Sequence, residues 1–224
     1  MRILIVAATI GEVQPLLTHF NAVSADGTYS FTTKTHSVTV LITGVGIMLT
    51  TFSLTRHLAT YTYNRALNMG VCGSFNRLWP LGQSVNIVSD RFADWGVEDG
   101  DSFLDVFDID LQKKVPPFNN TGAMEANWPT SDFLNTLPTA CGITVNTVHG
   151  QDDSIQKIVN KYAPDTESME GAAFMYVCHR YRLPCLQVRG ISNYVERRNR
   201  AAWKLKEAIE NNCETAIRVM NYEV

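Results

Sequence analysis

Nothing in this 224-residue chain approaches the ~18–20 consecutive apolar residues that a membrane-spanning helix needs. Blocks of one charge are missing too: 19 Lys and Arg stand against 22 Asp and Glu, a formal charge of −3, and they are scattered along the chain. Neither a membrane nor a nucleic acid is therefore an expected partner. Cysteine is sparse and unpatterned. Cys72, Cys141, Cys178, Cys185 and Cys213 are odd in number and contain no CxxC pair and no metal-ligand spacing, which predicts free buried thiols, no metal and a reducing, cytoplasmic compartment. The apolar N-terminal stretch from Arg2 to Ala8 lacks the small-residue cleavage site of a signal peptide, since Gly11-Glu12-Val13-Gln14-Pro15 follows it. Internal repeats, low-complexity tracts and linkers are absent, so a single domain over 1–224 is expected.

What is present is an apolar fraction of 45%, ample for a core without disulfide or metal staples. Short β-branched runs alternate with segments of helical period, which predicts an α/β domain. Ile3–Ala8 reads as the first strand, and Gly11–Phe20 as a helix packed on it through Val13, Leu16, Leu17 and Phe20. Residues 28–35 and 37–43 read as an antiparallel pair, which makes the sheet mixed. A helix over Gly46–Tyr61 follows, then strands Ala66–Val71 and Ser84–Val88. Phe92–Pro138 is irregular, and long loops of that kind are often functional. Beyond it come a strand Ile143–Val148, a helix Met169–Tyr181, a strand Cys185–Ile191 and a terminal helix from about Arg200 to Met220.

Three places could carry chemistry. Glu12 stands just past the C-terminal end of the first strand, where open α/β sheets put their ligands; the plainer account is a first-turn carboxylate answering the helix dipole. Thr166-Glu167-Ser168-Met169-Glu170-Gly171 reads as a helix start, capped by Thr166 or Ser168 with Glu170 in the first turn. Yet a carboxylate that accepts two hydrogen bonds can also grip the vicinal hydroxyls of a ribose. Val188-Arg189-Gly190-Ile191-Ser192-Asn193-Tyr194 is a strand ending in polar groups; Asn193 either closes an Asx turn or reads the edge of a heteroaromatic base. Gly44-Val45-Gly46 lacks the third glycine of a dinucleotide fingerprint, because Leu49 stands there, and is either a tight turn or a close approach to a sugar or base.

Taken in order, these elements resemble the purine nucleoside phosphorylase and nucleosidase superfamily, and in particular its methylthioadenosine/S-adenosylhomocysteine nucleosidases, over nearly the whole chain. The resemblance implies a three-layer α/β/α fold with a mixed central sheet, no cofactor, a nucleoside substrate and a homo-oligomer. It places Glu12 on the attacking water. Asn68-Met69-Gly70-Val71-Cys72-Gly73-Ser74 is similar to the family's purine-lining N-T-G-S-A-G-G segment, which brings in Cys72 and Gly73, with Val45 in the preceding turn. Glu167-Ser168-Met169-Glu170-Gly171-Ala172 resembles V-E-M-E-A, setting Met169 on the ribose face and Glu170 on its hydroxyls.

Asn193 departs from the family's R-A-I-S-D pattern, in which the last residue is the proton-donating aspartate. An amide donates hydrogen bonds without surrendering a proton, so a 6-oxopurine is favoured over adenine. Thr9-Ile10-Gly11-Glu12 offers a carboxylate and no cation, which favours water over phosphate as the nucleophile. Gly96-Val97-Glu98-Asp99-Gly100-Asp101 and the Ser192-Asn193-Tyr194 ending resemble the futalosine hydrolases of menaquinone biosynthesis. That resemblance implies release of hypoxanthine from an inosine carrying a carboxyphenyl ketone at its 5′ end. Phe92, Trp95 and Phe103 are candidates to stack on the phenyl ring or to fill the core, and Arg77, Arg91 and Arg197 are candidates for its carboxylate. Phosphorolysis of inosine or guanosine, hydrolysis of methylthioadenosine, and nucleoside sensing without turnover are the alternatives.

Overall fold

Ile3, Ile5 and Ala7 of the first strand face one side of the sheet, Leu4 and Val6 the other, and all five are buried. A strand apolar on both faces needs helices on both. The computed structural model describes residues 1–221. In it, strand β1 (Arg2–Ala7) leads into helix α1 (Ile10–His19). Strands β2 (Val23–Ala25), β3 (Thr28–Thr32) and β4 (Ser37–Ile42) form an antiparallel run whose last member returns parallel to β1. Helix α2 (Ile47–Leu58) and strands β5 (Arg65–Ser74) and β6 (Ser84–Phe92) follow. Strands β7 (Gly96–Asp99) and β8 (Ser102–Asp105) make a separate hairpin, and β9 (Met124–Glu125) pairs with β6. The chain continues through β10 (Thr139–Thr144), α3 (Asp152–Tyr162), β11 (Thr166–Ser168) and α4 (Gly171–Arg180), then β12 (Cys185–Tyr194) and α5 (Leu205–Asn221).

The main sheet has the order β11-β10-β6-β12-β5-β1-β4-β3-β2. Its β4-β1-β5-β12 centre is parallel, while β12–β6 and β11–β5 are antiparallel, so the sheet is mixed. Helices α1 and α5 cover one face, packing Val13, Leu16, Ala216 and Val219 on Ile3, Ile5, Met69 and Val188. Helices α2 and α4 cover the other with Leu54, Leu58, Phe174 and Val177 against Leu4, Val6 and Ile87. Each fully buried Leu, Ile, Val or Phe contributes about 1.5–3 kcal/mol. The result is the expected three-layer α/β/α arrangement.

Several expectations need correction. The strand placed at Ile143–Val148 runs over Thr139–Thr144, because its partner β6 draws Thr139 opposite Asn86 and leaves Val145–Val148 to the following loop. The helix start read at Thr166 is the strand β11, held by β10 on one side and by Ser74 and Gly73 of β5 on the other. Helix α4 begins only at Gly171, so Glu170 is its N-cap position rather than a first-turn residue, while Ser168 Oγ accepts from Gly171 N at 3.3 Å. Arg200–Ala202 is a separate 3-10 turn, and the terminal helix starts at Leu205. Four cysteines are buried and free as expected, but Cys141 is exposed.

Candidate active site

The parallel strands β1, β5 and β12 end towards one edge of the sheet, where Glu12 and Glu170 meet at one buried arginine, Arg189. Glu12 serves two ends at once. Its Oε2 accepts from the backbone N–H (3.0 Å) and hydroxyl (3.1 Å) of Thr9 at the start of α1, while Oε1 crosses to accept from Val71 N of β5 at 3.1 Å. The helix-terminus account therefore describes one oxygen, and the other faces the sheet edge. A carboxylate has about four acceptor sites, so these three bonds leave capacity on Oε1. Both Oε1 and the Arg189 guanidinium close over Gly70, where a Cβ would lie 2.6 Å from Oε1 and 2.7 Å from Arg189 Nη1.

Glu170 meets the same group. One of its oxygens accepts from Gly46 N at 3.0 Å and the other lies 3.6 Å from Arg189 Nη1. Gly44 and Gly46, at φ +89° and +95°, give the turn after β4 a path closed to most side chains, and that path presents the Gly46 N–H to Glu170. Val45 between them is exposed, and Met169 is half-buried beside Glu170.

Behind the two glutamates lies a buried polar network that carried no role in the sequence reading. Arg189 is 1% exposed; it donates from Nε to Gln187 Oε1 (2.9 Å) and from Nη2 to Asn68 Oδ1 (2.6 Å). Gln187 in turn donates to Asp90, which also accepts from Thr144 Oγ1. Burial pushes the Asp90 carboxyl up to about 6, against the pull of those two hydrogen bonds and of Arg189. Interrupting charges in otherwise apolar strands were the available signal. Arg189 was visible only as a motif letter, and Asp90 lies just beyond the point where the strand was expected to end. Burial pushes the Cys72 thiol up to about 12, so this side chain is an inert part of the core.

Asn193 reaches its place through a register shift. Ile191 pairs with Cys72 but Asn193 pairs with Gly73, leaving Ser192 unpaired between them. Ser192 Oγ lies 2.8 Å from Asn193 Oδ1 and 3.2 Å from the Cys72 carbonyl, while Asn193 Nδ2 donates to Tyr194 O at 2.9 Å. A Cβ on Gly73 would lie 3.3 Å from that Nδ2. On the opposite side of Gly73, β11 places Glu167, a buried carboxylate that binds His149 twice: it accepts from His149 N at 2.9 Å and pairs with Nδ1 of the same ring.

The aromatics of the irregular middle pack on one another: Phe92 on Trp95 at 5.8 Å and Trp95 on Phe118 at 6.2 Å, with Phe103 under Lys161. Arg77 is paired with Glu196, Arg197 with Asp152, and Arg91 donates to Thr121. A groove of about 540 Å³ runs between α3 and residues 195–196, lined by Arg77, Asp152 and Glu196 among others; none of Glu12, Glu170 and Asn193 lines it. Among the described residues no group of three or more His, Cys, Asp or Glu could hold a metal ion, and no helix is long and apolar enough to cross a membrane.

Residues 2–221 match the phosphorylase superfamily, and the chain belongs to it. Within that family the chain is similar to the futalosine hydrolase of Thermus thermophilus, 25% identical over 171 residues that make up 75% of each protein. It is also similar to the futalosine hydrolase of Streptomyces coelicolor, 28% identical over 152 residues, 66% of this chain and 61% of that one. Among solved structures, Helicobacter pylori futalosine hydrolase superposes with a TM-score of 0.79 at 16% identity, covering 99% of this chain and 97% of that one. The methylthioadenosine/S-adenosylhomocysteine nucleosidase of the same organism gives 0.80 at 16%, over 99% and 98%. At such identities the structural matches establish the fold.

Proposed function

We propose that the protein hydrolyses the N-ribosidic bond of a 6-oxopurine nucleoside, and that its substrate is futalosine, with hypoxanthine as the released base. The observation that carries the reading is the pair of glutamates around one buried, fully engaged cation. Arg189 is tied to Gln187, Asn68 and Glu170, so no free cation stands beside Glu12 among the described residues to receive a phosphate. Two carboxylates at contact distance from an anionic nucleophile would repel it by several kcal/mol in a poorly solvated site. Water meets no such barrier.

In this mechanism the C1′–N bond breaks ahead of attack, positive charge develops on the sugar and negative charge on the base. Glu12 orients and deprotonates the water through the free side of Oε1, a contribution typically worth ~10²–10⁴ in rate. Glu170 holds the ribose hydroxyls and its charge favours the cationic sugar. Met169, Val45 and the backbone of Cys72 and Gly73 line the nucleoside, and Asn193 donates to the base. Both sequence relatives being futalosine hydrolases, together with the Asn193 amide, favours futalosine over methylthioadenosine. The protein acts as a homo-oligomer in the cytoplasm on this reading.

The test is base release from futalosine, inosine and methylthioadenosine, with and without phosphate. Hypoxanthine from futalosine independent of phosphate is expected, with Glu12→Gln folded but losing most turnover. Release that requires phosphate, or adenine from methylthioadenosine alone, would overturn the assignment.

A further inference from the structure

Glu170 is held from two directions, and both lead back to Asp90. On one side stands its counterion. Arg189 places Nη2 on Asn68 Oδ1, which is anchored to Val6 O of β1, and Nε on Gln187 Oε1. That leaves Nη1 to meet Glu170 at 3.6 Å and Val71 O at 3.4 Å. An arginine has donors only, so the Gln187 amide must turn its oxygen to Nε and its nitrogen away. The nitrogen needs an acceptor and finds it 3.0 Å off in Asp90 Oδ2. On the other side is the start of α4, of which Glu170 is the N-cap. Asp90 Oδ1 accepts from Thr144 Oγ1 at 2.9 Å, and Thr144 Oγ1 accepts in turn from Ala172 N at 2.7 Å, two residues past Glu170. Gly171 sits directly on the relay: a Cβ there would overlap both Asp90 Oδ2 and the Gln187 amide. Asp90, Thr144, Gln187 and Arg189 are all buried. Beyond its bond from Gly46 N, what directs the Glu170 carboxylate is where α4 starts and where Arg189 points.

We propose that Asp90 is the positioning residue of Glu170: through Gln187 it aims Arg189, through Thr144 it sets the first turn of α4, and the two arms together keep the Glu170 carboxylate where the ribose hydroxyls bind. The proposal rests on the role given to Glu170 above. Asp90 touches no substrate, being buried beneath the helix start, and acts wholly through its neighbours. A carboxylate suits this place because both arms arrive as donors, Gln187 Nε2–H and Thr144 O–H, and an acidic side chain offers an acceptor oxygen to each. Asparagine has one acceptor oxygen, so it keeps one arm and must lose or reverse the other.

The experiment measures base release from futalosine and from its 2′,3′-dideoxy analogue, in which Glu170 has no hydroxyls to hold. Glu170→Gln sets the scale of that grip. Asp90→Ala would strip both arms of their acceptor and endanger folding, so the arms are cut by milder changes. Gln187→Met keeps the volume, Thr144→Val keeps the shape, and Asp90→Asn keeps both. A misplacement on the order of 1 Å can cost ~10²-fold in rate. In each of the three variants kcat/KM on futalosine should fall towards that factor and change little on the analogue. Thr144→Ser, which retains the hydroxyl, should stay close to wild type. Equal losses on the two compounds would mean that Asp90 merely supports the core; they would overturn the proposal and leave the hydrolase reading standing. Unchanged selectivity between the compounds in Glu170→Gln would overturn the ribose role of Glu170 and the proposal with it.

Discussion

Alanine in place of Gly70 probes the geometry at the sheet edge directly. The added Cβ would stand 2.6 Å from Glu12 Oε1 and 2.7 Å from Arg189 Nη1, and ordinary contact begins at 3.4 Å. Neither neighbour retreats freely. Glu12 is held by Val71 and Thr9, and Arg189 is buried and tied to Gln187 and Asn68. The carboxylate must therefore give up its bond to Val71 N and swing away by on the order of 1 Å, a misplacement that can cost ~10²-fold in rate. Overpacking costs about 1–3 kcal/mol, partly offset by the ~0.4–1 kcal/mol that Gly→Ala takes from the unfolded chain's entropy. Base release from futalosine and urea unfolding read the two effects separately. Gly70→Ala should fold with at most a modest loss of stability while kcat falls about a hundredfold. Added to Glu12→Gln it should cost little more, because both act through one carboxylate. A kcat within twofold of wild type, or a full additional hundredfold loss in the double variant, would refute the role given to Glu12.

Other outcomes follow from the same geometry. Asp90, raised from 3.8 to about 6 by burial, binds its proton more tightly folded than unfolded, so its stability contribution falls as pH rises through that window and is flat above it. Wild type should accordingly gain about 1–1.5 kcal/mol relative to Asp90→Asn between pH 7 and pH 5 in urea titrations; a constant difference would contradict the shift. Asn193→Asp should move base preference towards adenine nucleosides, read as the ratio of kcat/KM values, and an unchanged ratio would count against its place on the base. Phe174→Ala, at a fully buried position in α4, should lower stability by about 3–5 kcal/mol, with a matching fall in Tm.

The elements that could be read from the sequence are those whose apolar pattern is strong by itself. β1 is apolar on both faces, α1 places Val13, Leu16 and Leu17 at helical spacing, and β5 and β12 are continuous buried runs. Helix α3 escaped because only Ile158 in it is buried and most of its surface is polar. β11 escaped because three residues have no period; its conformation comes from two neighbouring strands. The site followed the same division. Glu12 was found from where its strand stops, and Glu170 and Asn193 from motif order. Gln187 and Asp90, which stand behind Arg189, make sense only once β6 and β12 lie side by side, since the two bond each other from 97 positions apart in the chain.

The unpaired Ser192 acts as a parity switch. In a strand, neighbouring side chains alternate between faces, so in an unbroken ladder Ser192 would pair with Gly73 and Asn193 would turn to the other side of the sheet. Deleting Asn193 would close the bulge and set the Ser192 hydroxyl opposite Gly73 where the amide stands, while leaving every core contact upstream of Ile191 untouched. A scaffold arranged this way can change what it recognises by one insertion or deletion at the end of a strand, with no remodelling of its core.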